Sequence, residues 1–287
     1  MNTFWSDKVQ STEILHYSRV QRINNQTKDV WLTPLNIKPS SKILEVGCGS
    51  GHFTNFIKEQ FPTAEVVGID LDYNHIQFAK EHSNGVTYMC ADINDLPFES
   101  NSFDVVFSHT VVEHLPFKNF ITEQKRVLKP NGKIVVFEVE PKNKHVSPFT
   151  YLKDEIYAIL DKIEIDDSGR TNVGGNVVIP HEFLKNLELE GFENCSVEFK
   201  EIMYYYPDNT TKNIALEQIQ KAKLAELYEY MFIISLSKNG EQFKDELINL
   251  TNKRDDKRVK LLNNSTKVYD YESTAIRIMS ATKKATT

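Results

Sequence analysis

Between Lys42 and Glu140 the chain repeats one pattern, in which short β-branched and aromatic runs are separated by stretches with helical spacing. The runs are KILEV (42–46), EVVGID (65–70), VTYMCAD (86–92), FDVVFS (103–108) and KIVVFEVE (133–140). Between them, FTNFIKEQF (53–61), YNHIQFAKEH (73–82) and ITEQKRVL (121–128) place apolar residues at three- and four-residue intervals. Near-continuous apolar strands joined by helices read as a parallel sheet covered on both faces, because each crossover lays a helix on the sheet. KPNG (129–132) reads as the turn into the fifth run. This alternation fixes an α/β fold class more tightly than any bulk property of the chain.

The flanks follow other rhythms. Residues 4–32 look helical, with Val9, Ile14, Leu15, Val20 and Ile23 among polar neighbours, until Pro34 and Pro39 end the pattern. After Pro141 come a helical stretch, YLKDEIYAILDKI (151–163), and a glycine-bearing loop, DDSGRTNVGGN (166–176). PHEFLKNLELEGF (180–192) reads as a proline-started helix closed by Gly191. SVEFKEIMYYY (196–206) and YESTAIRIMSATKK (271–284) alternate like strands, and the polar-rich 211–262 between them reads as helical. Its mixed-charge segment KRDDKRVK (253–260) reads as a solvated helix face. The expected organisation is an N-terminal helical cap (1–40), a core made of 41–206 and 268–287, and a helical insertion (207–267) that serves as lid or interface.

A net charge of -6 excludes a global basic field for nucleic acid or anionic membrane. No apolar run approaches the about 20 residues of a membrane helix, and MNTFWSDKVQ lacks the pattern of a signal peptide. Cys48, Cys90 and Cys195 form no CxxC pair, so neither a disulfide framework nor a metal site is expected, and the location expected is cytoplasmic.

ILEVGCGSGHFT (43–54) places Gly47, Gly49 and Gly51 directly after the first run. Glycines in a turn between a parallel strand and its helix let a ligand approach backbone. Asp70 ends the second run about 20 residues further on, where a carboxylate can accept from both hydroxyls of a ribose. A G-x-G-x-x-G dinucleotide pattern would need a third glycine where His52 stands, which disfavours an NAD-dependent dehydrogenase.

LEVGCGSG resembles motif I of the class I S-adenosylmethionine-dependent methyltransferases, and four more pieces follow in that family's order: GIDLD (68–72), CADINDLPF (90–98), FDVVFSHTVVEHL (103–115) and RVLKPNGKIVVFE (126–138). PHEFLKNLELEGFENCSVEF is similar to the ubiquinone- and menaquinone-biosynthesis-type small-molecule group. The resemblance implies a Rossmann-like sheet of seven strands, mostly parallel with the last antiparallel, and helices on both faces. It implies S-adenosylmethionine as cofactor. Gly47, Cys48, Gly49 and Gly51 would line its amino acid end, with Glu45 orienting the loop or meeting the ammonium through water. Asp70 would hold the ribose, Leu71 would stack on the adenine, and Asp92 with the Ile93 amide would meet the adenine edge. His109 would lie against the methionine part, and His109 and His114 are the candidate bases. Tyr17 and Arg19 can reach the cofactor carboxylate or stay at the surface, and Glu138 and Glu140 share one strand face.

The reaction expected is in-line displacement of the methyl group onto a small molecule through O, N or C. Charge on sulfur disappears as the bond forms, so the protein mainly aligns the partners and excludes water. The alternatives are a methyltransferase acting on RNA or protein, and a binding protein that keeps the fold without catalysis. The fourth run ends SHTV, without the asparagine- or aspartate-proline pair of amino-methylating nucleic-acid enzymes.

Overall fold

The computed structural model describes residues 6, 11–139, 152–164, 179–206, 237–264 and 268–285, with single positions between 213 and 235. Helices α1 (Thr12–Arg22) and α2 (Lys28–Leu32) precede β1 (Lys42–Val46), α3 (His52–Gln60), β2 (Glu65–Asp70), α4 (Tyr73–Glu81) and β3 (Thr87–Cys90). Then come β4 (Phe103–His109), α5 (Phe117–Val127), β5 (Leu128–Val139), α6 (Lys153–Leu160), α7 (Pro180–Leu189), β6 (Phe192–Tyr206), α8 (Lys244–Asn264) and β7 (Val268–Lys283). The strands form one seven-stranded sheet in the order β3-β2-β1-β4-β5-β7-β6. Strands β1 to β5 pair in parallel, and β7 runs antiparallel to both of its neighbours.

Period-2 alternation sorts the strand side chains onto two faces. Leu44, Val46, Val67, Val106 and Val136 pack with Phe120, Ile121, Phe183 and Leu187. Ile43, Val66, Phe107, Val135 and Phe137 pack with Phe53, Phe56, Ile57 and with Ile23, Trp31 and Leu35 of the N-terminal cap. Trp31 is fully buried, its ring 5.4 Å from Phe53, 5.4 Å from Phe137 and 5.2 Å from His109. Its indole N–H donates to the Arg22 carbonyl at 2.7 Å, so the plug is satisfied.

Three local expectations change. The single helix over 4–32 breaks after Arg22, where the Thr27 hydroxyl donates to the Arg22 carbonyl at 2.6 Å and accepts from the Asn24 N–H at 3.2 Å. Such side-chain bonds compete with helix continuation. KPNG lies within β5 as an irregularity, where the register passes from Phe103↔Leu128 to Val105↔Lys133 and Asn131 takes φ 62°. Strand β6 begins at Phe192 and carries a bulge between Glu193 and Ser196, with Asn194 at φ 53°. The loop DDSGRTNVGGN, Glu140 and the side chain of Tyr17 lie outside the described residues.

Pairing of β6 with β7 continues to Tyr206↔Val268, beyond Val139↔Ile276 where β5 leaves the sheet. The insertion grows from this two-stranded extension. Ile156, Ile159 and Ile163 in and just after α6 join Tyr230, Ile234 and Leu247 in a separate core, so the segment after β5 and the insertion pack as one helical unit.

The mixed-charge face of α8 is not simply solvated. Arg254 is 4% exposed and Asp255 is also buried. Arg254 donates to Glu226 at 2.8 Å through Nη1 and again through Nη2, and to Asp255 at 2.9 Å through Nε. Tyr230 donates its hydroxyl to Glu226 as well. This cluster clamps the helix bearing Glu226 and Tyr230 onto α8. Arg254→Met removes the guanidinium that Glu226 and Asp255 share, leaving Asp255 with Arg258 at 3.4 Å, and should cost the helical unit about 3 kcal/mol. Hydrogen exchange checks this: amides of 244–264 lose protection while those of β1 and β4 keep theirs.

Candidate functional site

A cavity of about 640 Å³ opens at the carboxyl ends of β1, β2 and β4. The strand order turns there, since the chain runs outward from β1 to β3 and then returns to place β4 on the other side of β1. Open α/β sheets bind ligands at such a point because the two flanking loops part.

Asp70 organises the floor. Its Oδ2 accepts from the Gly49 N–H at 2.8 Å and its Oδ1 accepts from the Asp72 N–H at 2.9 Å. Asp72 in turn caps α4 by accepting from the N–H groups of Asn74 and His75. The glycine loop is also held by the Cys48 N–H, which donates to the Ile69 carbonyl at 2.8 Å.

The protein's own packing requires the glycines. Gly47, Gly49 and Gly51 take φ of 69°, 52° and 74°. A Cβ on Gly47 would meet Val111 Cγ2 at 2.5 Å, and one on Gly49 would meet Leu15 Cδ2 at 2.7 Å. One on Gly51 would meet Ala79 at 2.6 Å and the Tyr88 hydroxyl at 2.7 Å. Gly47, Cys48 and Gly49 line the cavity, whereas Gly51 serves as the start of α3 and is not among its lining residues.

Glu45 shares a sheet face with Ile43 and is 2% exposed. It accepts a hydrogen bond from the Thr54 hydroxyl of α3. Burial raises its pKa to about 8, opposed by the Thr54 bond and by the charge of Arg19. His109 ends β4 at 4% exposure, 5.2 Å from the Trp31 ring and 6.1 Å from Phe53. Its Nε2 has no hydrogen-bond partner among the described residues. Burial, reinforced by Arg19 and Arg22, holds its pKa well below the ordinary histidine value, so the ring is neutral at physiological pH. His114 follows in a short 3₁₀ turn, Nε2 3.4 Å from the Glu113 carboxylate, and burial lowers its pKa while Glu113 opposes the shift.

Leu71, Asp92 and Ile93 line the same cavity, and Leu71 is 41% exposed. Asp92 accepts from the Asn94 backbone and side-chain amides at 2.8 and 2.7 Å, an Asx-type turn that orients its carboxylate. The positions expected to hold the cofactor or act as base, except Gly51, therefore meet at one cavity, while the buried Glu138 does not line it.

Of the two positions open to Arg19 it takes the one at the cavity, and other lining residues were not expected there. Arg19 and Arg22 extend from α1 into the cavity, together with Leu15. Arg19 donates to the Thr110 hydroxyl at 2.7 Å, and that hydroxyl donates to the His109 carbonyl at 2.7 Å. Burial lowers the Arg19 pKa to about 9, which still leaves it cationic at neutral pH. Thr110 takes φ 55°, a costly conformation for a β-branched residue and one that clusters at functional sites. The three-residue spacing of Arg19 and Arg22 on one helix was the available signal. Ile233 of the insertion and His75 of α4 also line the cavity.

The raised pKa of Glu45 links stability to pH. Between about 4.5 and about 8 the folded protein keeps a proton that the unfolded chain releases, so this group's contribution falls as pH rises through that window. Glu45→Gln should remove that slope. Thermal unfolding of both proteins from pH 5 to pH 9 checks this, with the largest relative gain for Glu45→Gln at the alkaline end.

Residues 44–136 match a family described as a methyltransferase domain. Phosphoethanolamine N-methyltransferase 1 of Zea mays is 33% identical over 218 residues, 67% of this chain and 42% of that protein. Demethylmenaquinone methyltransferase of Staphylococcus aureus is 32% identical over 133 residues, 42% of this chain and 55% of that enzyme. The chain spans 34–42% of the length of the Zea mays enzyme and two Arabidopsis thaliana phosphoethanolamine N-methyltransferases. Among solved structures, Haemonchus contortus phosphoethanolamine N-methyltransferase 2, in complex with phosphomonomethylethanolamine and S-adenosylhomocysteine, superposes with a TM-score of 0.55 at 19% identity. That superposition covers 96% of this chain and 57% of that one, and it is a likeness of fold. The sequence of 44–136 and the topology of the sheet agree with the class I S-adenosylmethionine-dependent methyltransferases that the motifs resemble.

Proposed function

We propose that the chain transfers a methyl group from S-adenosylmethionine to a small-molecule acceptor. The observation that carries this reading is the convergence of Asp70, the glycine-loop backbone and two arginines of α1 on one cavity. Each Asp70 oxygen accepts one backbone N–H, which leaves lone pairs for two ribose hydroxyls. Leu71 and Asp92 offer the apolar surface and acceptor that an adenine takes, with the Ile93 amide beside them. The bound cofactor supplies a methyl group already activated on a sulfonium.

The remaining work falls to the chain. Arg19 and the loop amides orient the amino acid end, while Leu15 and Ile233 help to exclude water. His109 forms a neutral wall, its Nε2 buried among aromatic rings. His114 is the base we assign for an acceptor that must lose a proton, with Glu113 orienting it and stabilising its cation.

The acceptor we infer is a small amine that also bears an anionic group, of the phosphoethanolamine type named by several relatives. Two guanidinium groups in one cavity exceed what the cofactor's single carboxylate requires, and Arg22 fits the second anion. The three free cysteines fit a reducing compartment, and the cytoplasm is the location we propose.

Asp70→Ala should weaken S-adenosylhomocysteine binding by well over tenfold, since two charge-assisted hydrogen bonds of roughly 1.5–3 kcal/mol each are lost. Calorimetry on the folded variant measures this, and undiminished affinity would overturn the cofactor assignment. Methyl transfer from labelled S-adenosylmethionine to phosphoethanolamine, ethanolamine and demethylmenaquinone tests the acceptor. Arg22→Gln should raise KM for phosphoethanolamine about tenfold or more and leave ethanolamine unaffected. Transfer to demethylmenaquinone alone would overturn the amine reading.

A further inference from the structure

One buried side chain in the cavity wall has no part in the arrangement above. His75 lies in the first turn of α4, is 5% exposed and lines the cavity. Neither ring nitrogen has a hydrogen-bond partner among the described residues. Its Nδ1 stands 3.6 Å from Oδ1 of Asp70, just outside hydrogen-bond reach. The neighbouring backbone donors are already committed, with Gly49 and Asp72 on Asp70, and Asn74 and His75 itself on Asp72.

An imidazole buried with both nitrogens bare is costly where an apolar side chain of similar size would pack without penalty. Groups left unsatisfied in this way call for an explanation, and a ligand-bound state is one. We propose that His75 is a positioning residue for the ribose of the cofactor, acting through Asp70. Its Nδ1–H closes onto Oδ1 when ribose hydroxyls engage the carboxylate, and so fixes the plane of Asp70 against both hydroxyls. The Gly49 and Asp72 amides hold Asp70 from the loop side and the helix side, and His75 adds the third restraint. The inference rests on the cofactor reading above.

The test is a double-mutant cycle on S-adenosylhomocysteine affinity, with thermal unfolding to show that each variant is folded. His75→Phe should bind about tenfold more weakly than the parent, the order of one hydrogen bond to a charged group. His75→Gln, which keeps an N–H donor, should recover most of that loss. Adding His75→Phe to Asp70→Ala should cost nothing further, and a 2′,3′-dideoxy analogue of S-adenosylhomocysteine should bind parent and His75→Phe alike. If His75→Phe does not fold, His75→Met takes its place, because the flexible thioether fits irregular gaps. Parent affinity in the apolar variant, additive losses in the double variant, or equal losses for Gln and Phe would each overturn the proposal. Failure of the parent protein to bind S-adenosylhomocysteine would overturn the cofactor reading and this inference together, which separates the two failures.

Discussion

Asp70 joins three pieces of chain at the end of β2. It accepts from the loop after β1 through Gly49 and from the start of α4 through Asp72, while its own carbonyl accepts from Ala91 after β3. Backbone N–H groups at strand ends need partners when they are buried. One ionised side chain at the end of β2 answers two of these demands and still has lone pairs to offer. Gly49 and Asp70, joined by this tie, both line the cavity.

A second constraint is the cost of placing ionisable groups under a cap. Trp31 seats α2 on the sheet through Phe53 and Phe137, and α1 then covers the glycine loop with Leu15. Glu45 and His109 are sealed beneath this cover, and both shift toward their neutral forms for the same reason, loss of water. Arg19 remains cationic and is tethered by Thr110, whose strained backbone follows directly from the end of β4. The site therefore combines neutralised groups on the sheet with cations on the cap, an arrangement suited to holding an anionic ligand group against an apolar wall.

The helical unit beyond the sheet is attached differently. It sits on the extension of β6 and β7 and keeps its own apolar core, to which α6 contributes from far earlier in the chain. Its internal bracing, the Glu226–Arg254–Asp255 cluster, is buried and multiply bonded. Ile233 is its described contribution to the cavity.

The parallel sheet, its first five strands and the place of the cavity were legible in the sequence. Continuous β-branched runs with helices between them admit few parallel topologies, and glycines need no partner to announce a left-handed turn. Gly47, Gly49, Asp70 and Asp92 could be expected at one cavity because each lies within a few residues of a strand end. The tertiary structure decided what depends on contacts between distant segments. That Arg19 and Arg22 enter the cavity, that Glu45 and His109 are sealed from water, and that α6 joins the insertion follow from how faces pack. Spacing along a chain marks an apolar helix face but not the element it packs against. Sequence likewise could not reveal that a Cβ on Gly51 would strike Tyr88, or that His75 would stand 3.6 Å from Asp70 with its nitrogens bare, since both are distances between elements folded together.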